Sequence, residues 1–347
     1  MNEIRVGLIG CGGIAQKHMK EYLAAHGGHV YAVCDIDEAR RRAAGELCGV
    51  PAERQFALWQ DLLACPGVDA VDICTPNNLH VPMARAAVDA GKPFCVEKPL
   101  GISYEETAAL AEYAETRGVP SMICFSYRFL PAVRYARALV EAGEIGRVVH
   151  VYGQYLKSSA YMPGRRLDWR FVREIARYGV SGDLGVHMLD LATFLAGDIS
   201  AVCAETGIAV KERRRLDSDE LAPVETDDWC HFLARFDHGA SASFEITRAA
   251  YGNRNHIRVD VYGERGAFRF DLNHPERLEF HRPGTGENDM ETIAVPGEYL
   301  AVQQQVFLDL LNGRRDPYIP TLADGVRIQR ILDAILHSAD THTWIGM

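Results

Sequence analysis

The sequence predicts an α/β protein, a doubly wound parallel sheet followed by a second α/β domain on a large, mostly antiparallel open sheet. Three observations carry this. Through the first third of the 347 residues, apolar strand-like runs alternate with segments of helical apolar spacing, the pattern of a parallel sheet with helices on both faces. The first run closes on a glycine-rich turn and the second on an aspartate. After residue 198, strand patterns follow one another without helices between them, as in an antiparallel sheet joined by short turns.

In order, Ile4–Ile9, Val30–Cys34, Ala70–Cys74, Phe94–Val96 and Ser121–Phe125 are apolar runs of strand length. Between them, Ile14–Ala25, Ala39–Cys48, Val81–Ala90 and Tyr104–Arg117 carry apolar residues at helical spacing. Gly49, Gly91 and Gly118 fall where helices need a C-terminal stop. The rhythm changes near residue 125, which sets the expected domains at 1–125 and 126–347, with the last helices as candidates to pack back on the first. Helical patterns at Ala132–Ala142 and Val186–Leu195 flank the alternating run Val148–Tyr155. Ala201–Val210, Thr226–Phe236, Ala240–Thr247, His256–Tyr262, Ala267–Asp271 and Leu278–His281 then read as strands. Turn signals stand at Asp237-His238-Gly239 and Gly263-Glu264-Arg265-Gly266. Helices at about Glu298–Leu311 and Leu322–Leu336 close the chain.

Composition narrows the function. The net charge of −10, with no block of like charges longer than Arg213-Arg214-Arg215, argues against nucleic acid or an anionic membrane as partner. No long apolar stretch and no secretory leader pattern is present, so a cytoplasmic protein is expected. Nine cysteines without a C-x-x-C pair read as reduced core residues, and no metal site is expected.

Gly10-Cys11-Gly12-Gly13-Ile14-Ala15 after the first strand, with Asp35 and Ile36 after the second, is the spacing of a Rossmann dinucleotide site. The glycine turn lets backbone approach the pyrophosphate, and the next helix points unpaired N–H groups at the phosphates. Asp35 is placed to accept from ribose hydroxyls, which favours NAD over NADP. Arg40, Arg41 and Arg42 stand close enough in sequence to meet a 2′-phosphate, but on a helix opening with Asp37 and Glu38 they also read as a solvated face.

Three further constellations can carry chemistry. Glu97-Lys98-Pro99 places Lys98 at the carboxyl edge of the parallel sheet, aimed at ligand or simply solvated and paired with Glu97. Thr75-Pro76-Asn77-Asn78-Leu79-His80 follows another strand at the same edge; there Asn78 reads foremost as a helix cap, and His80 either contacts the cofactor or packs. In Ser181–Asp190, helical winding would put Asp183 and His187 on one face, where a histidine can take a proton from an alcohol as hydride leaves its carbon. A helix cap at Asp183 and a core histidine at His187 are the structural alternatives.

With these residues in hand, the chain resembles the glucose-fructose oxidoreductase / inositol dehydrogenase (Gfo/Idh/MocA) family over nearly its whole length. The resemblance rests on the glycine turn, Cys74–His80, Glu97-Lys98-Pro99, Tyr127-Arg128-Phe129-Leu130-Pro131, Gly143-Glu144-Ile145-Gly146, Gly182–Asp190 and Val261–Ala267. It implies catalytic roles for Lys98 on the reacting hydroxyl, Asp183 as acidic partner and His187 in proton transfer. It adds Thr75, Pro76, Asn77, His80, Glu97 and Lys98 to the cofactor contacts, and Trp169 and Arg170 to the pocket; Tyr155 is a further substrate candidate. It implies a homodimer or homotetramer through the C-terminal sheet, with a small polyol or sugar as substrate. The expected activity is NAD-dependent oxidation of a secondary hydroxyl on a sugar, sugar derivative or cyclitol such as inositol. An NAD-dependent glycosidase without net redox change, or a non-catalytic dinucleotide-binding regulator, are the rival readings.

Overall fold

The computed structural model describes residues 3–282 and 289–347. The chain begins with β1 (Ile4–Ile9), α1 (Gly13–Ala24), β2 (Gly28–Cys34), α2 (Glu38–Cys48), β3 (Gln55–Phe56) and α3 (Trp59–Ala64). It continues with β4 (Ala70–Ile73), α4 (His80–Asp89), β5 (Phe94–Val96), α5 (Tyr104–Thr116) and β6 (Ser121–Ile123). The six strands form one parallel sheet in the order β3-β2-β1-β4-β5-β6. The order reverses between β1 and β4, and ligands of such sheets bind at the carboxyl ends of the strands flanking that reversal. Leu8, Val33, Ile73 and Phe94 are each 0% exposed, which is why these strands read as near-continuous apolar runs. Burying each such side chain contributes about 1.5–3 kcal/mol.

Local chemistry explains the helix limits. Asp37 caps α2 by accepting from the Arg40 N–H at 3.1 Å, and Gly49 closes it in the left-handed region at φ 67°. Ser103 and Glu106 form a reciprocal capping box at the start of α5. The sequence reading passes over β3 and α3, which are two and six residues long and offer no window for a period to show. Asn78 is not the cap expected of it. It lies inside a 3-10 turn, Asn77–Leu79, that runs directly into α4, whose cap position is Leu79 without a side-chain bond.

The chain proceeds through α6 (Pro131–Glu141), β7 (Val148–Leu156), α7 (Arg173–Ala176), α8 (Val186–Ala196), β8 (Ile199–Gly207), β9 (Glu212–Arg214) and β10 (Leu221–Pro223). Then follow β11 (Trp229–Phe236), β12 (Ser241–Thr247), β13 (His256–Gly263), β14 (Ala267–Asp271), β15 (Arg277–His281), β16 (Glu291–Ala294), α9 (Gln303–Leu311), α10 (Leu322–Thr341) and β17 (Ile345–Gly346). Nine strands form a second sheet in the order β16-β15-β14-β13-β7-β12-β11-β8-β17. All its pairings are antiparallel except β7 with β12. α8 is buried almost throughout, an apolar helix on all sides, and packs on β7. Strand β11 alternates, with Phe232, Ala234 and Phe236 inside and His231, Leu233 and Arg235 exposed.

Several expected boundaries shift: the strand expected at Ala201–Val210 runs Ile199–Gly207, and the helix expected at Leu322–Leu336 continues to Thr341. The helix expected from Glu298 starts at Gln303, because Leu300 and Val302 are extended and only Gly297–Tyr299 makes a 3-10 turn. The strand expected from Thr226 starts at Trp229, because Thr226, Asp227 and Asp228 hydrogen-bond to other segments. Two compact units result: Met1–Ser126 with Ala301–Val326, and Tyr127–Leu300 with Arg327–Met347. No helix among the described residues is long and apolar enough to cross a membrane.

Candidate functional site

In the first unit, β1 ends at a turn that only glycine fits. Gly10 has φ +90°, and a Cβ there would lie 2.5 Å from the Cys74 carbonyl oxygen. Gly12 and Gly13 are different: added Cβ atoms would meet nothing within 4 Å. Packing therefore does not demand those two glycines, and the space beside them is a cradle that side chains would fill. α1 opens there without a side-chain cap, so its first N–H groups are available to an anion. Cys11 and Ala15 are buried in the core, so a ligand meets them only through backbone. The Cys11 thiol is pushed up to about 12 by burial and is no nucleophile.

The Asp35 carboxylate closes this turn. One oxygen accepts from the Cys11 N–H at 2.7 Å and the other from the Asp37 N–H at 2.9 Å, which fixes its plane and leaves lone pairs for hydroxyl donors. Ile36 beside it is 89% exposed. The three arginines are occupied locally: Arg41 donates to the Asp35 carbonyl, Arg40 pairs with Asp37 and Arg42 with Glu38. The open cradle, the uncapped helix and the oriented carboxylate together fit a dinucleotide with free ribose hydroxyls.

Lys98 is half-buried at the end of β5, and its backbone is braced from two sides. Its N–H donates to Glu97 Oε2 at 3.2 Å, while Glu97 Oε1 meets His18 Nε2 at 3.2 Å. His18 Nδ1 in turn lies 3.0 Å from Asp72 Oδ2, and Cys74 and Gln304 complete the buried group. Burial alone would push the His18 pKa down, but the Asp72 carboxylate together with Cys74 holds it well above its ordinary value. Asp72 is correspondingly lowered despite its burial. A buried imidazolium thus stands between two carboxylates, one of which holds the Lys98 turn. On the other side His80, 1% exposed, sets Nδ1 2.7 Å from the Pro99 carbonyl and Nε2 2.8 Å from the Thr75 carbonyl. Burial lowers the His80 pKa, so the neutral ring donates to one of these carbonyls and is held against the other, packed between the two loops. Thr75 and Pro76 are half-buried beside it and Asn77 is buried.

The second unit gathers Asp183 and His187. The expected α-helical face is replaced by a π-turn, Ser181–Gly185, that feeds α8, and neither residue caps a helix. His187 is 7% exposed and meets the Tyr127 ring edge-on, with centroids 4.6 Å apart. Tyr127, Tyr155 and Asn255 form a closed ring of hydrogen bonds of 2.9, 2.9 and 3.1 Å beside it. Tyr155 is buried, and that burial, with Tyr127 and the Asp183 charge, raises its pKa far above the ordinary value, so it stays a neutral donor. Arg128 forms a buried ion pair with Asp190 of α8, which makes it a brace for the helix. Trp169 and Arg170 lie half-buried with the guanidinium 4.3 Å above the indole. Burial lowers the Arg165 pKa, a drop that the Asp168 charge and, least, the Asp183 charge oppose. The sequence reading misses His18, Asp72, Tyr127 as a site residue, Asn255 and Arg165; the one local signal was Asp72 as a charge inside an apolar run.

Comparisons with known proteins agree with these two halves. Residues 4–125 match the model of the oxidoreductase family with NAD-binding Rossmann fold, and residues 133–269 that of the GFO/IDH/MocA C-terminal domain. Levoglucosan dehydrogenase of Pseudarthrobacter phenanthrenivorans is 31% identical, covering 100% of this chain and 99% of its own. A D-xylose 1-dehydrogenase (NADP(+)) of Haloferax volcanii is 36% identical over 96% of this chain and 97% of its own. The solved structure of levoglucosan dehydrogenase in complex with NADH and L-sorbose superposes with a TM-score of 0.92 at 30% identity, covering 100% and 99% of the two chains.

Proposed function

The chain belongs to the GFO/IDH/MocA oxidoreductase family, and from that premise we propose that it is an NAD-dependent dehydrogenase oxidising a secondary hydroxyl of a sugar, sugar derivative or cyclitol. The observation that carries the reading is His187, four residues after Asp183 and edge-on to Tyr127 of the tyrosine-asparagine ring, in a chain whose first unit holds the open glycine cradle. NAD, when bound, supplies the hydride acceptor. His187 takes the proton of the substrate hydroxyl as general base. Lys98 hydrogen-bonds the reacting oxygen and offsets the negative charge that develops on it. Asp183 orients His187 or holds a neighbouring hydroxyl. Glycines 10, 12 and 13 and the start of α1 hold the pyrophosphate, Asp35 the ribose hydroxyls, and the Thr75–Asn77 loop the nicotinamide side. Trp169, Arg170 and Tyr155 are the substrate-side candidates, Tyr155 acting through Tyr127 because it is buried. Two relatives are named for sugars, levoglucosan and D-xylose, which supports the substrate class. A panel of cyclitols, aldoses and anhydro-sugars, assayed for NADH and NADPH formation, tests it. No reduced cofactor with any member would refute the reading.

NAD rather than NADP follows from the Asp35 carboxylate and the locally paired arginines. Asp35→Asn removes the charge that repels a 2′-phosphate and weakens the ribose bonds, each worth about 1.5–3 kcal/mol to a charged acceptor. The ratio of kcat/KM for NAD over NADP is expected to fall by about tenfold or more. An unchanged ratio would remove Asp35 from cofactor choice.

We further infer assembly as a homodimer or homotetramer through the open face of the second sheet. Its support is the outward row of β11, where Leu233 is 52% exposed between the exposed His231 and Arg235. Leu233→Glu is expected to shift the protein to smaller species in sedimentation without loss of helix or sheet content; an unaltered size distribution counts against this face. A cytoplasmic setting is inferred from nine free cysteines, most of them buried.

A further inference from the structure

The turn that carries Asp183 is anchored from far along the chain. Gly179 N–H donates to Asp227 Oδ1 at 2.8 Å, Val180 N–H to the Asp227 carbonyl at 2.8 Å, and Ser181 N–H to Asp227 Oδ2 at 2.8 Å. The Ser181 hydroxyl adds a fourth bond to Oδ1 at 3.0 Å. Three consecutive backbone donors thus converge on one residue, two of them on its carboxylate as they would on a bound anion and the middle one on its carbonyl. The approach is close: a Cβ on Gly179 would stand 2.1 Å from the Asp227 carbonyl oxygen. The Asp183 N–H then donates to the Gly179 carbonyl at 2.9 Å, so the anchored residue is the one from which the π-turn is wound.

Asp227 is itself immobilised. It is 7% exposed, and its carbonyl also accepts from Arg248 Nη2 at 3.0 Å. Asp228 receives Arg248 Nε on one oxygen and the Ala209 and Val210 N–H groups on the other. Thr226 donates to the Arg170 carbonyl at 2.8 Å. Its neighbours tie Asp227 to three other segments, and its own carboxylate is spent wholly on the start of the catalytic turn.

We propose that Asp227 is a positioning residue for the proton acceptor, its carboxylate setting where Asp183 and His187 stand without itself meeting substrate. The proposal rests on the reading that His187 moves the hydroxyl proton. A misplacement of the acceptor by about 1 Å is enough to cost about a hundredfold in rate. An ordinary structural role would weaken the protein regardless of what stands at 187, whereas a positioning role acts through the side chains of this segment, His187 foremost.

Asp227→Asn, Asp227→Ala and Ser181→Ala are made alone and in the His187→Ala background, with circular dichroism and NADH fluorescence titration on each. Asp227→Ala is expected to lower kcat about a hundredfold, Asp227→Asn less, and Ser181→Ala least, with NADH affinity unchanged. Each is expected to lower kcat by a clearly smaller factor once His187 is alanine. Where Asp227→Ala does not fold, the two milder variants carry the test. Wild-type kcat in folded Asp227→Asn and Ser181→Ala, with His187→Ala impaired, overturns the proposal alone. An equal fractional loss in both backgrounds also overturns it. Wild-type kcat in His187→Ala itself overturns the functional reading and the proposal with it.

Discussion

His187→Ala is expected to lower kcat by about 10²–10⁴-fold, the range that a positioned general base supplies, while NADH affinity is retained. The argument is one of placement. His187 is buried against the Tyr127 ring on a helix braced by the Arg128–Asp190 ion pair, so its imidazole has little freedom to leave the position it holds. Losing the ring therefore removes a proton acceptor that solvent cannot replace in kind. The deficit should shrink as pH rises, because a larger share of substrate and solvent is then already deprotonated. Steady-state kinetics across pH, with NADH titration as the control, measure both effects. A kcat within a few-fold of wild type at neutral pH would remove His187 from the chemistry.

The contrast between what the sequence makes legible and what it hides is physical. Buried parallel strands announce themselves as apolar runs, and the glycine turn with Asp35 lies within one short window, so the dinucleotide half can be read locally. Lys98, Asp183 and His187 are legible as positions at strand and helix ends but not as a chemistry until the family resemblance joins them. Partners far apart in sequence leave no period. His18 meets Asp72 across 54 residues, Tyr155 meets Asn255 across 100, and Ser181 meets Asp227 across 46. Their shared sign is polar residues inside patterns that read as strand, as with Asp72 within Ala70–Ile73 and Thr226–Asp228 before β11. The π-turn is hidden for a related reason, since the bonds that anchor its start come from Asp227 rather than from the local sequence.

Lys98→Ala is expected to lower kcat/KM by about 10²–10³-fold, the loss found when one donor to a developing oxyanion is removed. Its backbone is held independently of its side chain. Glu97, fixed by the His18–Asp72 pair, takes the Lys98 N–H, and His80 packs between the Pro99 and Thr75 carbonyls. The substitution should therefore delete the ammonium group and leave the turn in place, so that NADH binding and thermal stability change little. Two companions separate charge from geometry. Lys98→Arg keeps the cation but spreads it over a planar fork on a different reach, and is expected to recover only a small part of the loss. Added methylamine can enter the space vacated in Lys98→Ala and restore a measurable fraction of activity in proportion to its protonated form. If Lys98→Ala retains kcat/KM within a few-fold, the ammonium is a solvated neighbour of Glu97 and the oxygen is stabilised elsewhere. If activity is lost together with NADH affinity and folding, the brace of His18 and His80 depends on the side chain after all, and the loss says nothing of the oxyanion.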